Sequence, residues 1–323
     1  MPRLASVPAE LRRGVFDVAT ARALGVTHRQ LAGPAYARVL PRVWRAADHV
    51  LTEQDWHAAA LAFGPPDARL TGFTRLQQLG LGVGPRRPLQ LVVGRDLHRS
   101  AGEVLLHRTR RMPEHDGIGV SPTAAFVELC RWGAISDVVA AGDWLLHQRL
   151  MTAESFFHLA RRDAWREGVD EARWVWPLLD LRSRSVPESR VRLLFHAAGL
   201  PRPEVNVPVE VDGEVVATPD WHWRRYRTVA EYEGGHHQTD RGQYLSDLDR
   251  YRRYRELEIP YVQVTRELAA RPRTLVTAMH ATLRRAGYEG PPPDFGDRFA
   301  AIGWTVPTAR AWVPDLARPS SPT

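Results

Sequence analysis

A chain of 323 residues with 44% apolar and 25% charged residues has the make-up of a globular protein and room for two or three domains of ~100 to 200 residues. Arginine supplies all 44 basic residues against 37 acidic ones, a net +7 that favours a polyanionic partner such as DNA and excludes any chemistry needing a lysine. One cysteine, Cys130, excludes an internal disulfide and a cysteine-based zinc site, and with no apolar run of ~18 residues and no signal-like start a cytoplasmic protein without a membrane partner is expected.

Residues 1–50 read as a winged-helix-like DNA-binding module. Ala21, Leu24, Gly25, Val26 and Leu31 fall where a helix-turn-helix places its small residue, turn glycine and packing residues, and Thr27 suits the N-cap of a short helix over 27–31. His28 and Arg29 then face outward. Tyr36, Val39, Val43 and Trp44, interleaved with Arg38, Arg42 and Arg45, fit two strands of a wing, so Arg29 and Arg42 are candidate DNA contacts. The same pattern fits a packed three-helix segment that binds no DNA.

Residues 51–184 read as a mixed, mainly helical middle domain. Trp56, Ala59, Ala60 and Phe63 have helical spacing, as do Leu70, Phe73, Leu76 and Leu79, and strands are expected at 89–93 and 104–108. Ser121-Pro122-Thr123 opens a helix, followed by helices at 135–149, 152–161 and 171–181. The tryptophans at 132, 144, 165, 174 and 176 read as packing rather than as a base-stacking platform.

After Ser185 the pattern changes. A helix at 188–198 stops at Gly199, strands are expected at 204–211, 215–220 and 228–233, and Asp212-Gly213 signals a hairpin between the first two. A helix at 240–258 with Tyr244, Leu248, Tyr251 and Arg255 on one stripe, a strand at 261–265 and a helix at 272–286 complete residues 185–288. Asp220 closes the second strand, and Glu231 and Glu233, at i and i+2 in the third, point to one face. Three carboxylates gathered at neighbouring strand ends suit a hard cation such as Mg2+. An ion-paired strand edge with Arg224, Arg225 and Arg227 is the alternative. The intervening Trp221-His222-Trp223-Arg224-Arg225-Tyr226 reads as a loop that stacks on DNA bases or covers the sheet. Residues 289–323 are a proline-rich tail that Trp304 and Trp312 dock in part, with disorder expected from about Arg318.

The order α-β-β-β-α-β with these acids resembles the PD-(D/E)xK nuclease core, an α+β restriction-endonuclease-like fold. More closely, Pro187-Glu188-Ser189, the link Gly199-Leu200-Pro201-Arg202-Pro203, Pro219-Asp220, Glu231-Tyr232-Glu233-Gly234 with His237, and Asp247 with Arg250 look like the very-short-patch-repair-like endonuclease domain found behind AbiEi-type antitoxin domains. The resemblance implies a metal-dependent DNA endonuclease. Asp220, Glu231 and Glu233 would be ligands of Mg2+ (or Mn2+), Glu188 an outer ligand and His237 a general base or leaving-group acid; Arg250 and Arg241 would hold a phosphate, with Asp247 orienting Arg250 or His237. Gln263 stands where the family's last strand usually carries arginine, and the motif's lysine is absent. The alternative function is a non-catalytic DNA-binding regulator of the AbiEi antitoxin kind with a degenerate nuclease domain.

Overall fold

The computed structural model describes residues 7–94, 101–233 and 241–318, with the backbone alone for 241–248. Helices and strands are mixed in several small sheets, an arrangement compatible with the α+β class. Among the described residues no helix is long and apolar enough to cross a membrane. Backbone contacts divide the chain into two units, Met1–Glu128 and Leu129–Thr323, a division that falls inside the segment 51–184.

In the first unit, strand β1 (Phe16–Asp17) leads into helix α1 (Val18–Ala23), which Asp17 caps by accepting from the Thr20 amide at 2.7 Å. Gly25 takes the left-handed turn conformation (φ +78°), and Thr27 opens helix α2 (His28–Leu31) with a reciprocal capping box to Gln30. Strands β2 (Tyr36–Leu40) and β3 (Val43–Ala46) form an antiparallel hairpin that β1 extends to the order β1-β3-β2. Leu11, Phe16, Ala21, Val26, Leu31 and Tyr36 fill the core beneath it. Helix α3 (Glu53–Phe63), strand β4 (Arg69–Leu70), helix α4 (Gly72–Gln78) and strands β5 (Leu89–Val93) and β6 (Val104–Arg108) build a second sheet, ordered β4-β5-β6, with β5 and β6 parallel. Leu70, whose spacing fits a helix, instead pairs with Leu91 across β4 and β5, where its side chain is fully buried.

The second unit takes in most of the helical middle. Helix α5 (Pro122–Cys130) spans the division, and α6 (Ile135–His147), α7 (Ala153–Arg162) and α8 (Val169–Val175) precede α9 (Val186–Ala197). Trp176 stacks flat on Phe156 at 4.3 Å, as packing requires. Trp132 and Trp165 differ from that expectation: both are about half exposed, lying against the guanidinium groups of Arg131 and Arg166. Helices α6 and α9 are joined by a buried ion pair, Arg192 Nη2 to Asp143 Oδ2 at 2.7 Å. Asp143 Oδ1 accepts from the Asp180 amide at 2.7 Å, and Arg192 Nη1 donates to the Leu178 carbonyl at 2.8 Å. This clamp fixes the helix that carries Glu188.

Beyond α9, strands β7 (Glu204–Val205), β8 (Val209–Val211), β9 (Glu214–Ala217), β10 (Trp221–Trp223) and β11 (Thr228–Glu233), helix α10 (Arg241–Glu256), strand β12 (Tyr261–Thr265) and helices α11 (Arg266–Ala269) and α12 (Pro272–Arg285) follow in order. The main sheet has the order β12-β11-β10-β7, with β11 parallel to β12 and the other neighbours antiparallel. The hairpin at Asp212-Gly213 is present, with both residues at positive φ (+54° and +82°), but β8 and β9 form a separate two-stranded sheet. This corrects the expected strands at 204–211 and 215–220. Asn206, left-handed at φ +50°, ends β7 after two residues, and the burial of two indoles draws 221–223 into the main sheet in place of 215–220. Trp221 and Trp223 are 0% and 2% exposed and pack edge-on against Phe195, so they do not stack on bases.

The proline-rich tail is docked rather than loose. Helices α13 (Asp297–Ala300) and α14 (Val306–Trp312) follow α12, the Ile135 amide donates to the Trp304 carbonyl at 3.0 Å, and the Val306 amide donates to the Gly133 carbonyl at 3.1 Å. Val306, Ala309 and Leu316 supply the buried contacts, whereas the Trp312 side chain, expected to dock, is 78% exposed. Residues 319–323, where disorder is expected, lie outside the described residues.

Candidate functional site

The site is assembled from α9, β10, β11 and α10 within the second unit. Ser185 caps α9 by accepting from the Glu188 amide at 3.3 Å, and Pro187 sits in the first turn, where its missing N–H costs nothing. The Glu188 carboxylate turns back to accept from the Arg184 amide at 2.9 Å and from Asn206 Nδ2 at 2.8 Å, and it is buried. The Asn206 amide donates to the Asp220 carbonyl at 3.1 Å, so the left-handed asparagine ties the helix start to the residue before β10.

Asp220 precedes β10 rather than closing a strand over 215–220. Antiparallel pairing of Trp221 with Ala230 sets it opposite Glu231, and its Oδ2 accepts from the Tyr232 amide at 2.7 Å. Burial first, then the Glu188 charge, with Glu231 adding to both, push the Asp220 carboxyl up to about 7 against the opposing pull of the Tyr232 amide and Arg250.

Glu231 and Glu233 share a face of β11, yet their surroundings differ. Glu231 is 5% exposed; its Oε1 accepts from the Tyr254 hydroxyl at 2.5 Å, and its Oε2 pairs with Arg250 Nε at 3.0 Å. Burial and then the Glu231 charge push the Tyr254 phenol up, so it stays a donor. Glu233 is half-buried at the strand end, where Gln263 Nε2 donates to its Oε1 and the Tyr251 hydroxyl also bonds it. Arg224 does not serve the acids at 220, 231 and 233; it holds Glu204 through two bonds of 3.0 Å. A cation beside Glu231 is Arg250 of α10.

The structure therefore brings Glu188, Asp220 and Glu231 together, with Glu233 two residues further along the strand. All four carry carboxylate oxygens, the hard donors that a divalent cation such as Mg2+ takes where enough of them converge, and burial first and the Glu188 charge next raise the Asp220 carboxyl. Among the described residues, however, no group of three or more His, Cys, Asp or Glu side chains closes around one point as a metal cage. His237 lies outside the described residues, as do the side chains of Arg241 and Asp247, whose backbone belongs to α10. In the first unit Arg29 on α2 and Arg42 in the β2–β3 turn (φ +68°) are both exposed.

Four partners of these carboxylates escape the sequence reading: Asn206, Tyr254, the role of Tyr251, and Gln263 as a donor. Tyr254 had a signal. The buried stripe of α10 runs from Tyr251 to Tyr254, a step of three, and Arg255 at a step of four is exposed. Asn206 also had one, since asparagine is among the few residues that adopt the left-handed conformation readily.

The chain is similar to two uncharacterized proteins of Mycobacterium tuberculosis, from strains CDC 1551 / Oshkosh and ATCC 25618 / H37Rv, each 26% identical over 175 residues. The matched stretch is 54% of this chain and spans 62% of the length of those curated relatives. No family model matches the chain.

Proposed function

We propose that residues 185–288 carry a metal-dependent DNA endonuclease site that hydrolyses phosphodiester bonds, served by a winged-helix-like DNA-binding module at residues 1–50. The observation that carries this reading is Asp220, half-buried beside the buried Glu188 and Glu231, with its carboxyl pushed up to about 7. Three carboxylates drawn partly out of water repel one another, and among the described residues the Arg250 guanidinium offsets only part of that charge. A hard divalent cation would offset the rest. With the separate β8–β9 hairpin set aside, the main sheet supports the same reading: β7, β10 and β11, paired antiparallel, lie between α9 and α10, and the parallel β12 follows, in the α-β-β-β-α-β order of the resemblance.

In this reading Asp220 and Glu231 hold Mg2+ or Mn2+, Glu233 is a further ligand and Glu188 an outer one. The bound ion would polarise a phosphoryl oxygen and lower the pKa of a water. The chain's own groups hold the carboxylates in orientation: the Tyr232 amide at Asp220, and the Tyr254 hydroxyl at Glu231. Arg250 and Arg241 are assigned to the DNA phosphate, Asp247 to orienting Arg250, and His237 to general base or acid.

The test is cleavage of supercoiled, linear and single-stranded DNA by the full chain with Mg2+ or Mn2+, with a chelator, and with Glu231→Gln. Cutting that needs the metal and falls at least ~100-fold in the variant is expected. Metal-independent cutting, or cutting that Glu231→Gln leaves intact, removes the reading.

A second reading, a DNA-binding regulator of the AbiEi antitoxin kind with a degenerate nuclease domain, is favoured by one observation: Glu231 already has a cation in Arg250. Both readings need the N-terminal module to contact DNA. Arg29→Ala is expected to weaken duplex binding by the full chain and to lower the slope of log affinity against log salt by about one. Fluorescence anisotropy between 50 and 200 mM salt, of the order where phosphate contacts are read, checks this; an unchanged slope removes α2 as a DNA contact.

A further inference from the structure

A cavity of about 100 Å3 opens between the β8–β9 hairpin, β10 and Ile259, with His222, Arg224, Arg227 and Glu210 as its polar lining. It has room for several waters, and so for a tetrahedral oxyanion. His222 is 6% exposed, and its Nδ1 is buried with no hydrogen-bond partner. Burial first, against the Glu204 charge, lowers its pKa, so the ring is neutral and offers one donor and one acceptor. A buried imidazole left in that state is costly, and a ligand in the cavity would relieve it. Arg227 holds the left-handed conformation (φ +44°), which disfavours a side chain with a β-carbon and is tolerated where a site requires it. Its guanidinium is exposed and has no partner among the described residues. Arg224 engages Glu204 through Nε and Nη2, which leaves Nη1 for a further acceptor.

We propose that this cavity binds a phosphoryl group that carries a P–OH, either free phosphate or the terminal phosphate of a nucleic acid. Arg227, Arg224 Nη1 and His222 donate to its ionised oxygens, and Glu210 accepts from its hydroxyl. The charges select this ligand. Arg224 and Arg227 are balanced by Glu204 and Glu210, so a fully ionised tetrahedral anion such as sulfate gains no net attraction. It would also set an oxygen against the Glu210 carboxylate, an acceptor facing an acceptor. A singly charged phosphate removes that conflict, because one of its oxygens donates. A phosphodiester in the middle of a DNA strand has no such proton and does not fit. The site needs neither the carboxylates at 188, 220 and 231 nor a metal.

Calorimetric titration of the full chain with inorganic phosphate and with sulfate, at about pH 6, near the second pKa of a phosphate, tests the site in the native protein, Arg227→Gln and Glu210→Gln. Phosphate is expected to bind the native chain at least about tenfold more tightly than sulfate, and Arg227→Gln to weaken phosphate by about tenfold. Glu210→Gln, whose amide can donate to sulfate, is expected to bring sulfate within about twofold of phosphate. Absence of phosphate binding, equal affinity for the two anions in the native chain, or phosphate affinity that Arg227→Gln leaves unchanged overturns the proposal. Both positions are exposed, and circular dichroism checks that the variants fold; if Arg227→Gln does not, the native comparison and Glu210→Gln decide. Fluorescence anisotropy of one oligonucleotide with and without a 5′ phosphate separates the two sources. Tighter binding of the phosphorylated strand, lost in Arg227→Gln, supports the site as one for nucleic-acid ends. Equal binding of the two strands, beside calorimetric binding of inorganic phosphate, supports it as one for free phosphate.

Discussion

On the proposed endonuclease reading, Asp220→Asn is expected to lose metal-dependent DNA cleavage by at least ~100-fold and, at pH 8, to make the folded chain more stable than the native one. The two effects share one cause. In the folded chain the Asp220 carboxyl is pushed from its ordinary 3.8 up to about 7, by burial first and by the Glu188 charge next. A group whose folded pKa is raised contributes its full stability below the unfolded value and loses that contribution as pH rises through the folded value. The window is therefore about pH 4 to about pH 7, and a gap of ~3 pH units corresponds to a loss of about 4 kcal/mol above it. Asparagine has no charge to bury, and its Oδ1 can still accept from the Tyr232 amide. Urea unfolding at pH 4, 6 and 8 should show the variant near native at pH 4 and progressively ahead at pH 6 and 8. Added Mg2+ should narrow the difference at pH 8 by stabilising the native chain alone. A variant no more stable at pH 8 than at pH 4, relative to native, would mean that the carboxylate is already compensated in the folded chain.

The second large effect lies in the scaffold. Arg192→Met is expected to destabilise the chain by about 3 to 5 kcal/mol, because it leaves Asp143, 0% exposed, without the guanidinium 2.7 Å away. Burial already pushes the Asp143 carboxyl up, and Arg192 is the largest influence holding it down. The double variant Asp143→Asn, Arg192→Met should recover most of the loss, since asparagine removes the stranded charge and keeps an acceptor for the Asp180 amide. Methionine conserves much of the packing volume of the arginine stem. Denaturant midpoints of the native chain, the single variant and the double variant separate these contributions. Failure of the double variant to recover would assign the loss to packing between α6 and α9 rather than to charge. Because α9 carries Glu188, the single variant is also expected to loosen the carboxylate cluster.

Much of the local structure was legible in the residues. The strands at 89–93, 104–108 and 261–265 appear at those bounds, because each is a short apolar run closed by turn residues or by a helix start. The capping box of Thr27 with Gln30, the left-handed Gly25 and the Asp212-Gly213 turn are also where their side chains and backbone freedom put them. Each of these rests on interactions within a few residues. The grouping of Asp220 with Glu231 depended on strand order as well as on local signals, and it survives although the strand expected to carry Asp220 does not.

What the sequence by itself determined is therefore short-range: helix starts, turns, strand runs, the absence of lysine, and the set of acids available between Glu188 and Glu233. Only the tertiary structure decided which strands share the main sheet, because 221–223 joins it by burying two indoles against Phe195, a residue of another element. Only the tertiary structure set Glu188 near enough to Asp220 to raise its pKa, through Asn206 bridging two segments. It also gave Glu231 partners from α10, among them Tyr254 and Arg250, which are 23 and 19 residues away in the chain. The physical reason is common to all three: hydrogen bonds and turns are specified by neighbours in sequence, whereas burial and the repulsion between like charges depend on which distant segments are packed together.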